Sequence, residues 1–318
     1  MAYIFDLHSD ILIDVAKLYQ KTPKNKKAVR TLAEWQEIMN QGNIKGRVLS
    51  VWIEEVYKPG NTLKRAIDLI EIAKRELKSL ENAVLIKSHR DLDNFSRDDK
   101  FYYLLSLEGA DPIYDDIFLL DAFYDLGVRL ITLTWSTRNF VADGVFESRT
   151  KGGLTRFGLE LLDKMKELGI IVDLSHISDA GFWDVIENYD GVVIASHSNS
   201  RSVNDHSRNL TDDQAKAIAE RGGIIGLNVI PSFVGLNRDL ESFIKHLEHF
   251  IDLVGINFVG FGFDFVYYLY DSYEGVSGIE SEKDVPSLVN KLLENYSKDE
   301  VEKICWKNAV RVFKRALI

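Results

Sequence analysis

The sequence is poor in cysteine, proline, basic charge and long apolar runs. Its 318 residues include one cysteine, Cys305, and five prolines. A single cysteine excludes an intramolecular disulfide, which fits a reducing compartment. The prolines are scattered, and neither a Pro/Gly-rich linker nor a low-complexity tract interrupts the chain. We therefore predict one domain that spans residues 1–318.

Charge and hydropathy disfavour further classes of protein. The formal net charge is −10 at pH 7 and no concentrated basic face is visible, which disfavours a nucleic acid partner. No run of about 18 apolar residues occurs, so no membrane span is expected. The first residues have neither the basic region nor the long apolar region of a signal peptide. We expect a soluble cytoplasmic protein, and 46% hydrophobic residues suffice for a sizeable core.

Short apolar runs alternate with longer amphipathic segments along the chain. Runs rich in β-branched residues predict eight strands, at residues 3–8, 47–53, 101–107, 128–134, 170–175, 191–196, 223–229 and 257–263. Amphipathic segments predict helices at 63–77, 157–169, 178–189 and 211–223, with further helix from about 282 to 318. Ser178 and Thr211 have the chemistry of helix starts, and Gly127, Gly169 and Gly222 that of helix ends.

This alternation predicts a (β/α)₈ barrel of the TIM type with additional C-terminal helices. Nearly continuous apolar strands are typical of a parallel sheet that is covered on both faces. A doubly wound open sheet is the alternative fold. No GxGxxG or P-loop motif follows any of the strands, so a nucleotide-binding version of the open sheet has little support.

Residues with metal-binding side chains follow several of the predicted strands. In barrels of this type the chemistry gathers at the carboxyl ends of the strands. The first run ends in His8-Ser9-Asp10, and because side chains alternate along a strand, His8 and Asp10 can face one ion. Later strands are followed by further candidates, which are Glu108, His176, His197 and Asp264.

Each of these residues taken singly has an ordinary structural explanation. A buried carboxylate can form a salt bridge, and a lone histidine is more often a core residue than a ligand. Three imidazoles and two or three carboxylates at one barrel mouth favour a metal site. Nitrogen and oxygen donors without thiolate suit Zn²⁺, with Mn²⁺ or Fe²⁺ as alternatives. Since so many ligands exceed one tetrahedral ion, we predict two divalent ions, preferably Zn²⁺, that activate water for hydrolysis.

Several short motifs, in their order and spacing, resemble the membrane dipeptidase (renal dipeptidase) family of binuclear zinc hydrolases. They are DLHSD, LEGAD, LGVRLITLTW, VDLSHIS, ASHSNSRSV, HSRNLTDDQ and GFGFDF, and they run through most of the chain. The resemblance implies a metal-dependent dipeptidase that cleaves small peptides with a hydroxide bridging two zinc ions. It also implies the ligands: His8 and Asp10 for the first zinc, His176 and His197 for the second, and Glu108 between them.

The resemblance further implies which residues act on the substrate. Arg208 would pair with the terminal carboxylate of the dipeptide, a task that suits a planar guanidinium. Asp264 would take the proton of the attacking water and deliver it to the departing amine. Glu108, which would bridge the metal ions, counts with Asp264 as a catalytic residue.

The chain departs from the family pattern near the expected substrate pocket. Trp135 stands where well-studied members carry the histidine that steadies the oxyanion, and its indole N–H could donate there instead. Asn228 begins Asn-Val-Ile where the family usually has Asn-Phe-Tyr, and Phe263 and Val266 replace a small residue and a second acid. We expect Trp135 and Asn228 to contact the substrate, and a bulky apolar pocket wall near Trp135, Phe263 and Phe265.

Two other functions stay open at this point. An amidohydrolase with the same binuclear site could act on N-acyl amino acids or lactones. A binding protein without catalysis could have kept the fold, although buried carboxylates and imidazoles are costly without a metal. The resemblance also implies that the dipeptide can have a D-residue at its C-terminal position. By analogy with relatives that dimerise, it further suggests a homodimer.

Overall fold

The computed structural model describes residues 2–20 and 29–318. The strands within these ranges are β1 (Ile4–Asp6), β2 (Ile44–Trp52), β3 (Ala83–Leu85), β4 (Phe101–Glu108), β5 (Val128–Thr132), β6 (Ile171–Asp173), β7 (Val193–Ile194), β8 (Ile225–Leu227) and β9 (Val259–Phe261). The α-helices there are α1 (Ile11–Ala16), α2 (Leu32–Gln41), α3 (Thr62–Lys78), α4 (Ile117–Leu126), α5 (Arg156–Leu168), α6 (Asp179–Asn188), α7 (Asp212–Glu220), α8 (Pro231–Val234), α9 (Leu240–Val254), α10 (Val285–Leu292), α11 (Lys298–Glu302) and α12 (Asn308–Ala316).

The strands form a parallel barrel. Hydrogen bonding connects them in the order β7-β6-β5-β4-β2-β1-β9-β8. A parallel bridge between Ala195 and Ile225 joins the two ends of this series. The predicted (β/α)₈ barrel with additional C-terminal helices is thus confirmed, and the alternative of a doubly wound open sheet is wrong. In the described ranges, no helix is long and apolar enough to cross a membrane.

Every strand predicted from the sequence is present, but most are shorter than the apolar runs. The run at 3–8, for example, is a strand only over Ile4–Asp6, and the run at 191–196 only over Val193–Ile194. The remaining residues of these runs enter loops at the barrel mouth, which is where the candidate ligands lie. One strand was missed: β3 is short and half-buried, and it pairs with the start of β4 outside the barrel series.

Local sequence signals define the helix ends. The side chains of Ser178 and Thr211 each accept a hydrogen bond from the backbone N–H three residues further on, as N-cap residues do. Gly127 and Gly169 end α4 and α5 in the left-handed conformation, with φ of 109° and 67°. Gly222 follows α7 with φ of 72°. These predictions are confirmed, because capping depends on chemistry that a short stretch of sequence contains.

The C-terminal helices contribute to the core. Phe313 on α12 packs edge-on against Phe5 of β1, with ring centroids 5.1 Å apart. Phe95 stacks on the same Phe5 ring at 5.4 Å. These rings share one buried cluster with strand residues such as Val48 and Leu104. The additional helices therefore complete the packing of the barrel rather than extend from it.

Gly262, the residue after β9, packs against the backbone of Ser196 too closely to allow a side chain. A Cβ at this position would overlap the backbone carbonyl oxygen of Ser196, beside the candidate ligand His197. We expect Gly262→Ala to lower the free energy of unfolding by about 1–3 kcal/mol, measured by urea denaturation. The added methyl group would force the backbone of Ser196 to move, which costs free energy. The control is Gly60→Ala, whose Cβ would meet no atom within 4 Å. Equal urea midpoints for the two variants would contradict this account of the packing.

Candidate metal centre

The five side chains predicted to bind metal lie together at the carboxyl ends of the strands. His8 and Asp10 follow β1, Glu108 ends β4, and His176 and His197 follow β6 and β7. All five are buried. The structure therefore brings every predicted ligand to one place, while their binding of metal stays a prediction.

Glu108 lies at the centre of this group. Its Oε2 is 3.6 Å from Nε2 of His8. Its other oxygen, Oε1, is 3.1 Å from Nε2 of His176 and 3.7 Å from Nε2 of His197. One carboxylate oxygen thus faces the β1 side and the other faces the two later histidines. A carboxylate placed in this way can be shared between two cations.

Asp264 joins the part of the group that contains His8 and Asp10. Oδ1 of Asp264 and Oδ1 of Asp10 lie 3.8 Å and 3.9 Å from Nε2 of His8. The potential ligand atoms of these three residues are within 4.8 Å of one another, and the same holds for His8, Glu108 and His197. The sequence made Asp264 a candidate ligand and the family resemblance implied proton transfer, and its position allows contact with a cation held by His8 and Asp10.

Burial dominates the electrostatics of the three carboxyl groups. It raises the pKa of Asp10 to about 7 and holds the pKa of Glu108 and of Asp264 well above its usual range. The charge of Asp10 adds to this effect at both other groups, and the guanidinium of Arg208 opposes it at both. Together these groups form a buried environment that favours added positive charge.

The pKa values of the three imidazoles are shifted in the opposite direction, to lower values. Burial, followed by the nearby Arg208, lowers the pKa of His8 to about 3. Burial also holds the pKa of His176 and of His197 well below the usual value, with smaller contributions from neighbouring cationic groups. All three rings are therefore neutral near pH 7. Neutral imidazole is the form that binds a metal ion.

The backbone is strained at the residues that present these side chains. His176 and Asp264 have φ of 70° and 56°, in the left-handed region that side chains other than glycine rarely adopt. Such conformations persist at functional sites where the surroundings enforce them. Gly109, directly after Glu108, has φ of 90°, and a Cβ there would lie 2.5 Å from Oδ2 of Asp111. Glycine is thus required at the turn that follows Glu108.

Asp6 connects the ends of β1 and β9 beneath the site. Its Oδ1 accepts hydrogen bonds from the backbone N–H of Phe263 at 3.0 Å and of His8 at 3.4 Å. Its Oδ2 lies 3.0 Å from Nη2 of the fully buried Arg47, which also contacts Glu282 at 3.0 Å. Asp6 therefore positions the loops that carry His8 and Asp264. Sequence analysis missed it, although a carboxylate within an apolar run was a signal.

Two residues predicted to bind substrate contact the backbone of His197. Nη2 of Arg208 and Nδ2 of Asn228 donate to the His197 carbonyl at 3.2 Å and 3.0 Å. Nε of Arg208 is buried and has no hydrogen-bond partner in the described part of the chain. The Asn228 side chain also accepts from the N–H of Ile230 at 3.1 Å. Arg208 thus keeps an N–H to offer, whereas the amide of Asn228 is engaged within the protein.

A cleft of about 250 Å³ opens onto the site. Four of the residues that line it belong to the candidate site, namely Asp10, Glu108, His176 and Asp264. The other lining residues are apolar or aromatic, and they are Trp52, Trp135, Ile230, Phe233, Val266, Leu269, Tyr270 and Tyr273. Because ligand pockets usually measure about 300–1,000 Å³, a cleft of this size fits a small molecule.

The wall of the cleft agrees only in part with the sequence analysis. Trp135 and Val266 line it as expected. The expected wall at Phe263 and Phe265 is wrong, because these rings are buried and stack in a row with Phe261, at centroid distances of 5.0 Å and 5.1 Å. The loop that follows them lines the cleft instead. Neither Asn228, which is fully buried, nor Arg208 is among the residues that line the cleft, although the guanidinium of Arg208 lies 5.3 Å from the ring of Phe233, which does line it.

The parallel barrel and the buried imidazoles and carboxylates at its mouth define a metal-dependent hydrolase barrel. The family model of the membrane dipeptidases (peptidase family M19) matches residues 1–317, and the chain belongs to this family. It is accordingly a metallo-dipeptidase, a hydrolase that acts on the peptide bond of dipeptides and uses a divalent metal. The family resemblance seen in the sequence is confirmed.

Similar proteins agree with this assignment. An uncharacterized dipeptidase of Schizosaccharomyces pombe is 28% identical over 299 residues, which are 87% of this chain and 70% of that protein. Dipeptidase 3 of Mus musculus is 26% identical over 327 residues, covering 98% of this chain and 64% of the mouse protein. This chain thus spans somewhat less than two thirds of the mouse protein.

Solved structures share the fold over nearly the whole chain. The metallopeptidase dipeptidase AC has a TM-score of 0.85 at 23% identity, with 99% of each chain covered. A metallopeptidase from Rhodobacter sphaeroides, bound to a phosphinate mimic of the dipeptide L-Ala-D-Ala, has a TM-score of 0.86 at 22% identity and the same coverage. At these identities the likeness shows the fold.

The buried pair of Asp6 and Arg47 leads to a prediction. Removing one partner of a buried ion pair leaves the other uncompensated, so we expect Asp6→Ala to lower the free energy of unfolding by about 3 kcal/mol in urea denaturation. The control is Asp68→Ala, which removes the surface pair with Lys64 and should cost less than about 1 kcal/mol. If both variants lost the same stability, Asp6 would not have the positioning role assigned to it.

Proposed function

We propose that this dipeptidase works with two zinc ions, and that the ligands are His8, Asp10, Glu108, His176 and His197. The observation that carries the proposal is the position of Glu108, whose two carboxylate oxygens face different groups of ligands. His8 and Asp10 would hold one ion, and His176 and His197 the other. Glu108 would contribute one oxygen to each.

The residues of the site fit these ions. Nε2 of His8 and Oδ1 of Asp10 are buried and lack a hydrogen-bond partner among the described residues. The Nε2 atoms of His176 and His197 are only 2.8 Å apart and are both directed at Glu108. Imidazole and carboxylate donors without thiolate are the set that zinc uses in hydrolytic sites. Buried polar atoms of this kind are costly unless a partner satisfies them.

When bound, the ions would lower the pKa of a water molecule and polarise the scissile carbonyl. Asp264, buried beside His8 and Asp10, would accept the proton of the attacking water and deliver it to the amine nitrogen that leaves. Trp135 lines the same cleft next to His176, with ring centroids 5.9 Å apart, and is our candidate donor to the carbonyl oxygen.

The substrate we propose is a dipeptide with apolar side chains. Most of the cleft wall is apolar or aromatic, and such walls favour apolar groups through burial of their surface. A C-terminal D-residue is part of the proposal, supported by the Rhodobacter sphaeroides metallopeptidase that is bound to a mimic of L-Ala-D-Ala. The terminal carboxylate would meet Arg208, whose buried Nε lacks a partner among the described residues.

Metal removal tests the proposal directly. We expect elemental analysis of the full-length protein to find about two zinc ions per chain. Treatment with a chelator should abolish hydrolysis of L,L- and L,D-dipeptides with apolar side chains, and added Zn²⁺ should restore it. The chelated protein should also melt at a lower temperature, because ligands that bind only the folded state stabilise it. Full hydrolysis by metal-free protein, or no hydrolysis of any dipeptide in the panel, would refute the proposed function.

Two variants tested on two substrates can separate the binding of the substrate carboxylate by Arg208 from the contact of Arg208 with His197. We expect Arg208→Ala to raise KM about 10–100-fold for a dipeptide but not for its C-terminal amide, because a hydrogen bond to a charged group contributes about 1.5–3 kcal/mol. Asn228→Ala is the matched control, since Asn228 donates to the same carbonyl without a charge. It should affect both substrates equally.

The same comparison of two variants on two substrates tests the alternative substrate classes. If Arg208→Ala changed KM for the dipeptide and its amide by the same factor, Arg208 would not read the carboxylate. An amidohydrolase acting on other acyl compounds or lactones would then be the better account. A homodimer and a cytoplasmic location stay predictions from the sequence, which light scattering and cell fractionation would check.

A further inference from the structure

We propose that Asp173 and Ser196 are positioning residues that fix the tautomer of His197, so that Nε2 of this ring is the atom available to a cation. The inference rests on the metal site proposed above, and it concerns residues to which that proposal gives no role. Asp173 is the last residue of β6, Ser196 directly precedes His197, and all three side chains are fully buried.

The carboxylate of Asp173 accepts four hydrogen bonds. Oδ1 accepts from the backbone N–H of Ser175 at 3.1 Å and of Ser196 at 2.8 Å. Oδ2 accepts from the hydroxyl groups of Thr132 and Ser196, both at 2.6 Å. All four partners are donors, namely two backbone N–H groups and two hydroxyl groups.

The direction of these hydrogen bonds decides where His197 carries its proton. Ser196 has one hydroxyl proton and donates it to Asp173. Its oxygen therefore has a lone pair for Nδ1 of His197, which is 2.7 Å away. Nδ1 must then carry the ring proton, and the lone pair of Nε2 is left facing Nε2 of His176 at 2.8 Å and Oε1 of Glu108 at 3.7 Å. A carboxylate behind a ligand histidine orients the ring and increases its basicity.

The other polar atoms of His197 are held as well. Its backbone N–H donates to Oγ of Ser175 at 3.1 Å, and its carbonyl accepts from Arg208 and Asn228. His176 differs, because Nδ1 of that ring meets only Oγ of Ser136, at 2.9 Å, and no carboxylate stands behind this hydroxyl in the described ranges. Of these two rings, His197 alone has a relay of carboxylate and hydroxyl among the described residues.

Asp173→Asn tests the relay at nearly constant shape. Because the Oδ1 position faces two backbone N–H groups, the new amide must keep its oxygen there and turn its nitrogen towards Ser196. Ser196 would then accept from the amide and donate its own proton to Nδ1 of His197. The ring proton would move to Nε2 and block the atom that should bind metal. Thr132→Val is the matched control, since it removes one donor to the same carboxylate oxygen without reversing the relay.

The experiment has two readouts besides activity. We expect ¹⁵N NMR of histidine-labelled, chelated protein to show the His197 proton on Nδ1 in the wild type and in Thr132→Val, and on Nε2 in Asp173→Asn. Zinc titration against a chromogenic chelator should show the second equivalent bound about 10–100-fold more weakly by Asp173→Asn, with a change below about threefold for the control. Wild-type affinity and an unchanged tautomer in Asp173→Asn would overturn the proposal.

Ser196→Ala keeps the proposal testable if Asp173→Asn does not fold. This variant removes the hydroxyl between the carboxylate and the ring while Asp173 retains its other donors. We expect about a tenfold loss of affinity for the second zinc, and an unchanged affinity would overturn the proposal. A wild type that binds two zinc ions but cleaves none of the apolar dipeptides would refute the substrate proposed above and leave this inference standing.

Discussion

The structure depends on holding three imidazoles and three carboxylates together in a buried space. Burial raises the pKa of the carboxyl groups and lowers that of the imidazoles, so the centre favours neutral rings and a compensating positive charge. Free in water, these polar side chains would be hydrated singly and would not stay in contact. The barrel keeps them together because they project from the ends and adjoining loops of strands whose hydrogen bonding and packing are fixed elsewhere.

A buried carboxylate positions the proposed ligands on each of two opposite sides of the barrel. Asp6 ends β1 and Asp173 ends β6, and each accepts the backbone N–H two residues further on, from His8 and from Ser175. Each also accepts an N–H from the loop after the neighbouring strand, from Phe263 for Asp6 and from Ser196 for Asp173. On each side, one buried carboxylate thus fixes the direction in which the segments after two neighbouring strands leave the sheet.

Much of this architecture could be predicted from the sequence, because barrel strands and helix caps depend on short local patterns. The candidate ligands could be predicted because each lies at or just after the end of an apolar run. The cleft wall could not be predicted in this way. Phe261, Phe263 and Phe265 stack in a buried row although β9 ends at Phe261, and the left-handed backbone at Asp264 lies between the last two of these residues. Apart from the N–H groups two residues further on, the partners of Asp6 and Asp173 lie on or after other strands, so no local pattern reveals them.

The central claim is that Glu108 lies between two metal ions. Anomalous diffraction at the zinc edge, from crystals of the zinc-loaded protein, tests it most directly. The account predicts two peaks, one in contact with His8, Asp10 and Glu108, and the other in contact with His176, His197 and Glu108. A single peak, or a pair of peaks that Glu108 does not join, would contradict it.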